Sequence, residues 1–328
     1  MLIYITRRLA LAVSVVLVTL VATFMLFFAG PADPAQSLCG ELRCDQSKLV
    51  EIRRTMKLDR PVTEQFAEYF KGLFVGREVA DGGNLRQCAA PCLGYSFRSH
   101  REVKSEVFSR FPTTAMLAVL AMVVFLSVGV TTGVFAARRR GSRTDRFVVG
   151  FSQSFGAIPY YIVALLFALY LTILNPILPR AASFSDGVLP WVIGMIAPAI
   201  ILGLVTATSY VRYTRAQMVD SLAQDYVRTG RSKGITERAV VYRHALRAAI
   251  SPVATILGLD MAALLSGTLI TEQIFGLDGM GRLAIVSLFL DDLPIIMGAV
   301  LMSAVIVVLM NLLVDIMYSV IDPRVRLS

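Results

Sequence analysis

Several motifs of enzymatic chemistry are missing from this chain of 328 residues. The dipeptide Gly-Lys does not occur, which excludes the phosphate-binding loop G-x-x-x-x-G-K-[ST]. The only two histidines are His100 and His244, and neither begins an H-E-x-x-H segment. The sequence therefore offers no motif of its own for nucleotide hydrolysis or zinc-dependent hydrolysis.

Charge is also scarce. Charged residues make up 17% of the chain, whereas about a quarter is usual in soluble domains. Hydrophobic residues make up 56%, and the mean hydropathy is +0.67. The apolar residues form long blocks instead of alternating or helical-period stripes, which indicates lipid as the solvent. The composition predicts an all-α polytopic membrane protein.

Six apolar blocks are long enough to cross a bilayer, which takes about 20 residues for a hydrocarbon core of about 30 Å. They cover residues 9–29, 113–137, 147–173, 187–211, 251–271 and 293–314. The first block follows Arg7 and Arg8, but its apolar core is longer than that of a usual signal peptide and lacks a small-x-small cleavage site. We expect it to be a retained helix.

The basic residues set the orientation of these spans. The net charge of +9 comes mostly from residues between the blocks, which favours the positive-inside rule over a nucleic-acid partner. Loops 138–146 and 212–247 are strongly basic, so we place them and both termini in the cytoplasm. The predicted ranges are residues 1–29 (terminus and first span), 30–112 (external loop) and 113–328 (five-helix core with a cytoplasmic loop at 212–250).

All four cysteines fall within the external loop, and the apolar blocks contain none. This clustering favours two disulfides on the oxidising side of the membrane, with three possible pairings. A zinc site is the alternative, although its spacings of x4 and x3 are looser than usual. The candidates are Cys39, Cys44, Cys88 and Cys92. The same loop predicts a helix over residues 46–56, another after Pro61, and a glycine-rich turn at 81–84.

The segment 221–252 is too polar to cross the membrane and too regular to be disordered. Residues 225–233 can form a short helix that Gly234 ends, and Thr236 can cap a second helix beginning near Glu237. Two short helices joined at a glycine form a compact projection, which suits a docking element for a partner protein. A juxtamembrane amphipathic helix on anionic lipid fits the same pattern, and the pattern alone leaves both open.

The segment DYVRTGRSKGITERAVVYRHALRAAISPV resembles the cytoplasmic signature loop of binding-protein-dependent ABC importer permeases, in particular the dipeptide and oligopeptide branch. Other segments resemble the same family in collinear order: YITRRLALAV, MKLDRPVTEQFAEYFKGLFVG, FPTTAMLAVLA, TLITEQIFGLDGMGRL and NLLVDIMYSVIDPRVRLS. The chain is thereby identified as a member of this family over most of its length outside the cysteine region.

The resemblance implies a type I ABC importer permease fold in the bacterial cytoplasmic membrane. It further implies a second permease subunit, two cytosolic ATPase subunits that hold ATP and Mg²⁺, and an extracytoplasmic binding (lipo)protein. This chain would bind no cofactor and would form half of the pathway for di- or oligopeptides. A nickel or metal-chelate importer permease is the alternative within the family, because that branch shares the signatures.

The resemblance also implies which residues meet the ATPase. Gly234 matches a glycine of the family signature, whereas Gly230 stands where the family usually has alanine, which weakens a helix by about 1 kcal/mol. The implied docking residues are Asp225, Tyr226, Arg228, Thr229, Gly230, Lys233, Gly234 and Glu237.

A few polar residues lie inside the apolar blocks. Asp260 is the one charge in the fifth block, and an ionised acid near a helix centre costs about 2.5–3.5 kcal/mol on insertion scales. It is expected to face either the translocation path or a neighbouring helix, and an ion-coupled carrier is the rival class that would use it. Ser152 and Gln153 raise the same question in the third block, which Pro159 is expected to kink.

Overall fold

The structure is a computed structural model, and it describes residues 2–28, 35–36, 45–55, 58–81 and 84–321. These residues are mostly helical, which confirms the predicted all-α membrane class. They divide into two compact units. The first comprises residues 1–114 with 278–309, and the second comprises residues 115–277 with 310–328.

The first unit contains a long N-terminal helix, two shorter helices and a β-hairpin, together with segments from later in the chain. Its elements are α1 (Leu2–Phe28), α2 (Gln46–Thr55), α3 (Val62–Val75), β1 (Arg77–Asp81), β2 (Asn84–Cys88), the start of α4 (Val103–Arg138), α12 (Met280–Phe289) and the first part of α13 (Leu293–Ile321). The helices predicted at 46–56 and after Pro61 are thus present as α2 and α3.

The core of the first unit forms where α1, α3 and α13 meet. Phe24 of α1, Tyr69 of α3 and Met297 of α13 are buried together. The rings of Phe24 and Tyr69 lie 5.7 Å apart, and Phe66 meets Phe24 edge-on at 5.2 Å. Aromatic packing of this kind stabilises beyond the apolar area that it buries, and here it holds α3 against the end of α1.

The hairpin pairs β1 and β2 antiparallel, with Arg77 opposite Cys88. A disulfide joins Cys88 to Cys92, whose Cα atoms are 5.5 Å apart. Cys39 and Cys44 lie outside the described residues. A carboxylate ties the following segment to the start of α13: Asp292 accepts hydrogen bonds from the Ser96 hydroxyl and, at 3.0 Å, from the Phe97 amide.

The second unit is a helical bundle. Its elements are the rest of α4, α5 (Arg143–Gly156), α6 (Tyr160–Leu174), a short 3-10 turn (Phe184–Asp186), α7 (Val188–Gly194), α8 (Ile196–Leu222), α9 (Asp225–Ser232), α10 (Glu237–Leu265), α11 (Leu269–Phe275) and the end of α13. Helix α8 is central, because it contacts α5, α6 and α10 and buries residues along its whole length.

Helices α4 and α8 cross closely, since α4 presents glycines at the contact. A Cβ on Gly129 would lie 2.5 Å from Cβ of Tyr210, and one on Gly133 would lie 2.7 Å from Cβ of Thr214. Small residues four apart allow membrane helices to approach in this way, because helix association in lipid relies on close packing.

Among the described residues, five helices are long and apolar enough to span a membrane, and a sixth candidate is a bent pair. The third predicted span, 147–173, is not one continuous helix: α5 and α6 meet at 85°. Proline causes the break, because Pro159 has no amide hydrogen and disfavours the helical conformation in Ile158. Pro159 instead precedes α6 as its N-cap, with φ −54°.

The fifth span also differs from its predicted bounds of 251–271. Helix α10 begins earlier, at Glu237, and ends at Leu265. Residues 266–268 are not helical and separate α10 from α11, and Gly267 has φ +130°. The apolar run therefore continues past the end of the helix, which hydropathy alone does not reveal.

Candidate docking and pathway sites

The segment predicted as a docking element is a folded helical projection, which we call the helical knob (residues 225–245). Helix α9 covers residues 225–232, and α10 begins at Glu237. Between them, the amide of Ile235 donates to the carbonyl of Gly230 at 3.2 Å, and the amide of Gly234 donates to that of Arg231 at 2.9 Å. These two bonds and the φ of +76° at Gly234 form a Schellman C-cap, which satisfies carbonyls at the end of α9.

The inner face of the knob packs into the bundle. Val227 of α9 is buried in one apolar cluster with the ends of three long helices. The cluster contains Val134 and Ala137 of α4, Met218 of α8, and Val240, Val241, Ala245 and Ala249 of α10. The knob is therefore fixed to the ends of α4, α8 and α10.

The outer face of the knob presents most of the predicted docking residues to the surface. Asp225, Tyr226, Arg228, Thr229, Lys233, Gly234 and Glu237 are exposed. Gly230 differs, because it is buried on the inner side of α9, where a Cβ would lie 3.7 Å from Cδ1 of Ile235. Gly230 therefore belongs to the base of the knob instead of its outer surface.

An ion pair joins the two helices of the knob. The Arg231 guanidinium donates to both carboxylate oxygens of Glu237, at 2.8 and 3.0 Å. The hydrogen bond from Arg231 holds the pKa of the Glu237 carboxyl below its ordinary value. Both side chains are largely exposed, so the pair fixes the relative positions of the helices and adds little stability.

Asp260 contacts a neighbouring helix. Its Oδ2 accepts a hydrogen bond of 2.8 Å from the hydroxyl of Tyr210 on α8, and Asp260 itself is half-buried. The Tyr210 ring is fully buried and packs at 4.6 Å from Phe125. The helix–helix role expected for Asp260 thus has a specific partner, and a role in the translocation path stays a prediction.

The polar residues of the third block separate on α5. Ser152 is buried, whereas Gln153 is exposed. In the part of the chain that the structure describes, no hydrogen bond or ion pair joins either of them to Asp260. Their place in a path also stays a prediction.

One buried acid that was missed in the sequence lies where α5 begins. Asp145 is 2% exposed and accepts two hydrogen bonds from Arg215 of α8, at 2.6 and 2.7 Å. The amide of Gly141 donates to the same carboxylate at 2.9 Å. Bidentate pairing of this kind fixes orientation, so Asp145 clamps the start of α5 to α8. The sequence pattern did not single out Asp145, because this residue lies in a basic loop that hydropathy assigns to solvent.

The described residues contain no group of three or more His, Cys, Asp or Glu side chains placed to hold a metal ion. Neither the knob nor the surroundings of Asp260 therefore suggests a metal centre in this part of the chain.

Comparison with known proteins decides the class. A family model described as "Binding-protein-dependent transport system inner membrane component" matches residues 129–327, and its N-terminal companion matches residues 1–118. The chain belongs to this family of transport-system inner membrane components. The resemblance seen in the sequence is thereby confirmed, and the helical knob lies inside the larger matched region.

Several named permease proteins are similar to the chain over nearly its whole length. The dipeptide transport system permease protein DppB of Escherichia coli K12 is 33% identical, covering 99% of both chains. A putative peptide transport system permease protein of Brucella abortus is 34% identical over 98% of both. A probable peptide ABC transporter permease protein of Sinorhizobium fredii is 31% identical over 99% of both.

Proposed function

We propose that this chain is one of the two permease subunits of an ATP-driven importer for di- or oligopeptides. It forms half of the transmembrane pathway, and an external binding protein delivers the substrate. ATP and Mg²⁺ bind to two cytosolic ATPase subunits that dock on the helical knob. Both termini lie in the cytoplasm. The names of the relatives support the peptide substrate, since three permeases that match this chain over nearly their whole length are named for peptide transport.

The observation that carries the proposal is the two-sided construction of the knob. Its outer face is polar and exposed, and its inner face packs into the cluster at the ends of α4, α8 and α10. A partner that moves the knob therefore moves the ends of three membrane helices, because packed interiors transmit displacement instead of absorbing it. ATP-driven closure of the ATPase pair would be transmitted to the pathway by this route.

Gly234→Arg tests the docking surface. Gly234 is exposed with φ +76°, and a Cβ built there meets no atom of the described residues within 4 Å. Arginine would add a large charged side chain to the outer face. We expect the wild-type chain, purified with a tag from membranes that contain the ATPase, to bring the ATPase down, and Gly234→Arg to reduce its recovery strongly.

Gly141→Arg is the matched control. Gly141 is also exposed, has φ +79°, and lies in open space as far as the described residues extend. It lies in the other basic loop, so it carries the same backbone strain and added charge outside the knob. Equal loss of the ATPase from both variants would contradict a docking surface on the knob. A wild-type chain that never recovers an expressed ATPase would contradict the importer and favour an ion-coupled carrier.

Uptake separates the substrates. Spheroplasts that contain the complete transport system with the wild-type permease should accumulate a radiolabelled dipeptide, and spheroplasts that lack the permease should not. Accumulation of a nickel chelate in place of the dipeptide would reassign the chain to the metal-chelate branch.

A further inference from the structure

A cavity of about 100 Å³ lies in the first unit. It is open to solvent and is lined by the end of α1, by α3, by the hairpin, and by the start of α13. A single water needs about 10–15 Å³ of such a cavity, so this one has room for on the order of seven to ten waters. That is enough for a carboxylate group with a short chain attached.

Part of the cavity lining is aromatic. Phe24 and Phe28 of α1 contribute to it, as do Tyr95 and Phe97 from the segment after the disulfide. Flat aromatic walls accept side chains of differing shape, since apolar contact is not directional. Such walls suit a ligand whose end groups are constant and whose side chains vary.

Two of the lining residues each carry a buried hydrogen-bond donor without a partner among the described residues: the Tyr69 hydroxyl and Nε of Arg77. Tyr69 is only 2% exposed. The Arg77 guanidinium lies over the Tyr69 ring, 4.6 Å from its centroid. Buried donors without acceptors are costly, so this pair calls for an acceptor, and a carboxylate oxygen suits both groups.

Burial lowers the pKa of the Arg77 guanidinium, and the nearby Tyr69 and Glu68 offset only part of this effect; burial also raises the pKa of the Tyr69 hydroxyl. Gly72 makes room for the arginine, since a Cβ there would lie 2.6 Å from Cδ of Arg77. A bound anion would offset the buried positive charge.

Two acids on the lining provide the opposite charge. Glu68 lies 3.8 Å from Arg60, and Glu78 accepts a hydrogen bond of 2.8 Å from Gln87. The cavity thus offers both a cation with unpaired donors and carboxylates. A ligand that carries an anion and an ammonium group matches both, whereas a purely anionic ligand would be repelled by the acids.

We propose that this cavity is a binding site for short zwitterionic peptides, with the C-terminal carboxylate at Arg77 and Tyr69 and the N-terminal ammonium toward Glu68 and Glu78. The inference rests on the proposed function, because it takes the transported peptide as the ligand. It gives the permease a contact with its substrate in the first unit.

The test uses the complete permease–ATPase complex in phosphatidylcholine nanodiscs, without binding protein. Calorimetry measures binding of the dipeptide Ala-Phe and of its C-terminal amide. We expect saturable binding of Ala-Phe and about tenfold weaker binding of the amide, because the amide removes a charge-assisted hydrogen bond.

Tyr69→Phe and Arg77→Gln should each weaken Ala-Phe binding, Arg77→Gln by about tenfold or more. Tyr69→Phe should leave the melting temperature unchanged or raise it, because it removes a buried hydroxyl that has no partner among the described residues. The control is Thr214→Val in α8, which removes another buried hydroxyl without a partner in the described residues, outside the cavity. It should leave Ala-Phe binding unchanged.

Equal binding of dipeptide and amide, or undiminished binding by Arg77→Gln, would overturn the proposal. Native mass spectrometry of complexes taken directly from cell membranes provides a second arm. Phosphatidylethanolamine retained by the wild type but not by Arg77→Gln, with no dipeptide binding, would replace the peptide with a lipid headgroup. Dipeptide uptake by the wild type separates the cavity proposal from the proposed function. Normal uptake without binding in the cavity would contradict only the cavity proposal, whereas absent uptake would contradict the proposed function.

Discussion

At the residue scale, Asp260 shows how an acid is accommodated in a membrane helix. The Tyr210 hydroxyl on α8 donates to its carboxylate at 2.8 Å, so one helix supplies the polar group that the other requires. Hydrogen bonds between membrane helices contribute modestly, about 0.6 kcal/mol on average and up to about 1.7 kcal/mol. The contact therefore positions α8 against α10 more than it stabilises the bundle.

Two substitutions separate the structural role of Asp260 from a path role. Tyr210→Phe should lower the free energy of unfolding by about 0.6 kcal/mol, since it removes the donor and keeps the ring. Asp260→Asn keeps an acceptor oxygen for Tyr210, so we expect a smaller loss of stability and retained uptake of every peptide tested. Thermal unfolding in detergent and uptake by the complete transporter are the measurements. Loss of uptake in Asp260→Asn at unchanged stability would instead assign Asp260 to the path.

The sequence identified Asp260 and not Tyr210, and the reason is physical. A charge inside an apolar block is visible from hydropathy, because hydropathy is assigned to each residue by its type alone. Its partner becomes known only once the contacting faces of two helices are known. Tyr69 and Arg77 were missed for the same reason, because only the packing of the hairpin brings Arg77 over the Tyr69 ring.

At the scale of elements, length and hydropathy predicted five long helices well and failed where backbone chemistry intervened. The break at Pro159 turns one apolar block into two helices at 85°, and the composition of the block contains no sign of the angle. The hairpin was expected only as a turn at 81–84, because its strands are short and rich in charged residues. The two helices of the knob were predicted, since glycine and helix-capping positions are local signals.

The knob contains two glycines four residues apart, and their replacement by alanine should have opposite effects. Gly230→Ala should stabilise α9 by about 1 kcal/mol, because alanine favours a helix and its Cβ would be 3.7 Å from Ile235. Gly234→Ala should destabilise the knob by about 1–2 kcal/mol, because φ there is +76°. Amide hydrogen exchange over residues 225–235 measures both effects. Slower exchange in Gly234→Ala, or faster exchange in Gly230→Ala, would contradict the C-cap described for α9.

At the scale of the whole molecule, the two units carry different candidate sites: the cavity in the first and the helical knob in the second. The proposed function requires the knob to be accessible to the cytosolic ATPases, and the proposed peptide site requires the cavity to be accessible to arriving substrate. The positive-inside rule predicts this arrangement from the basic loops 138–146 and 212–247. The Cys88–Cys92 disulfide agrees with it, because disulfides persist on the oxidising side.

Two exposed serines allow a direct test of that topology. Ser99 lies in the first unit and Ser232 in the knob, and cysteine changes little besides one atom in each. The background carries Cys39→Ser and Cys44→Ser but keeps the Cys88–Cys92 disulfide, whose sulfurs do not react with maleimide and whose five-residue loop contributes about 2 kcal/mol. We expect a membrane-impermeant maleimide to label Ser99→Cys in intact spheroplasts and Ser232→Cys only after lysis. The unsubstituted background, which should stay unlabelled, is the control. Labelling of Ser232→Cys in intact spheroplasts would put the knob outside, where no ATPase can reach it, and would remove the docking proposal whatever the family resemblance suggests.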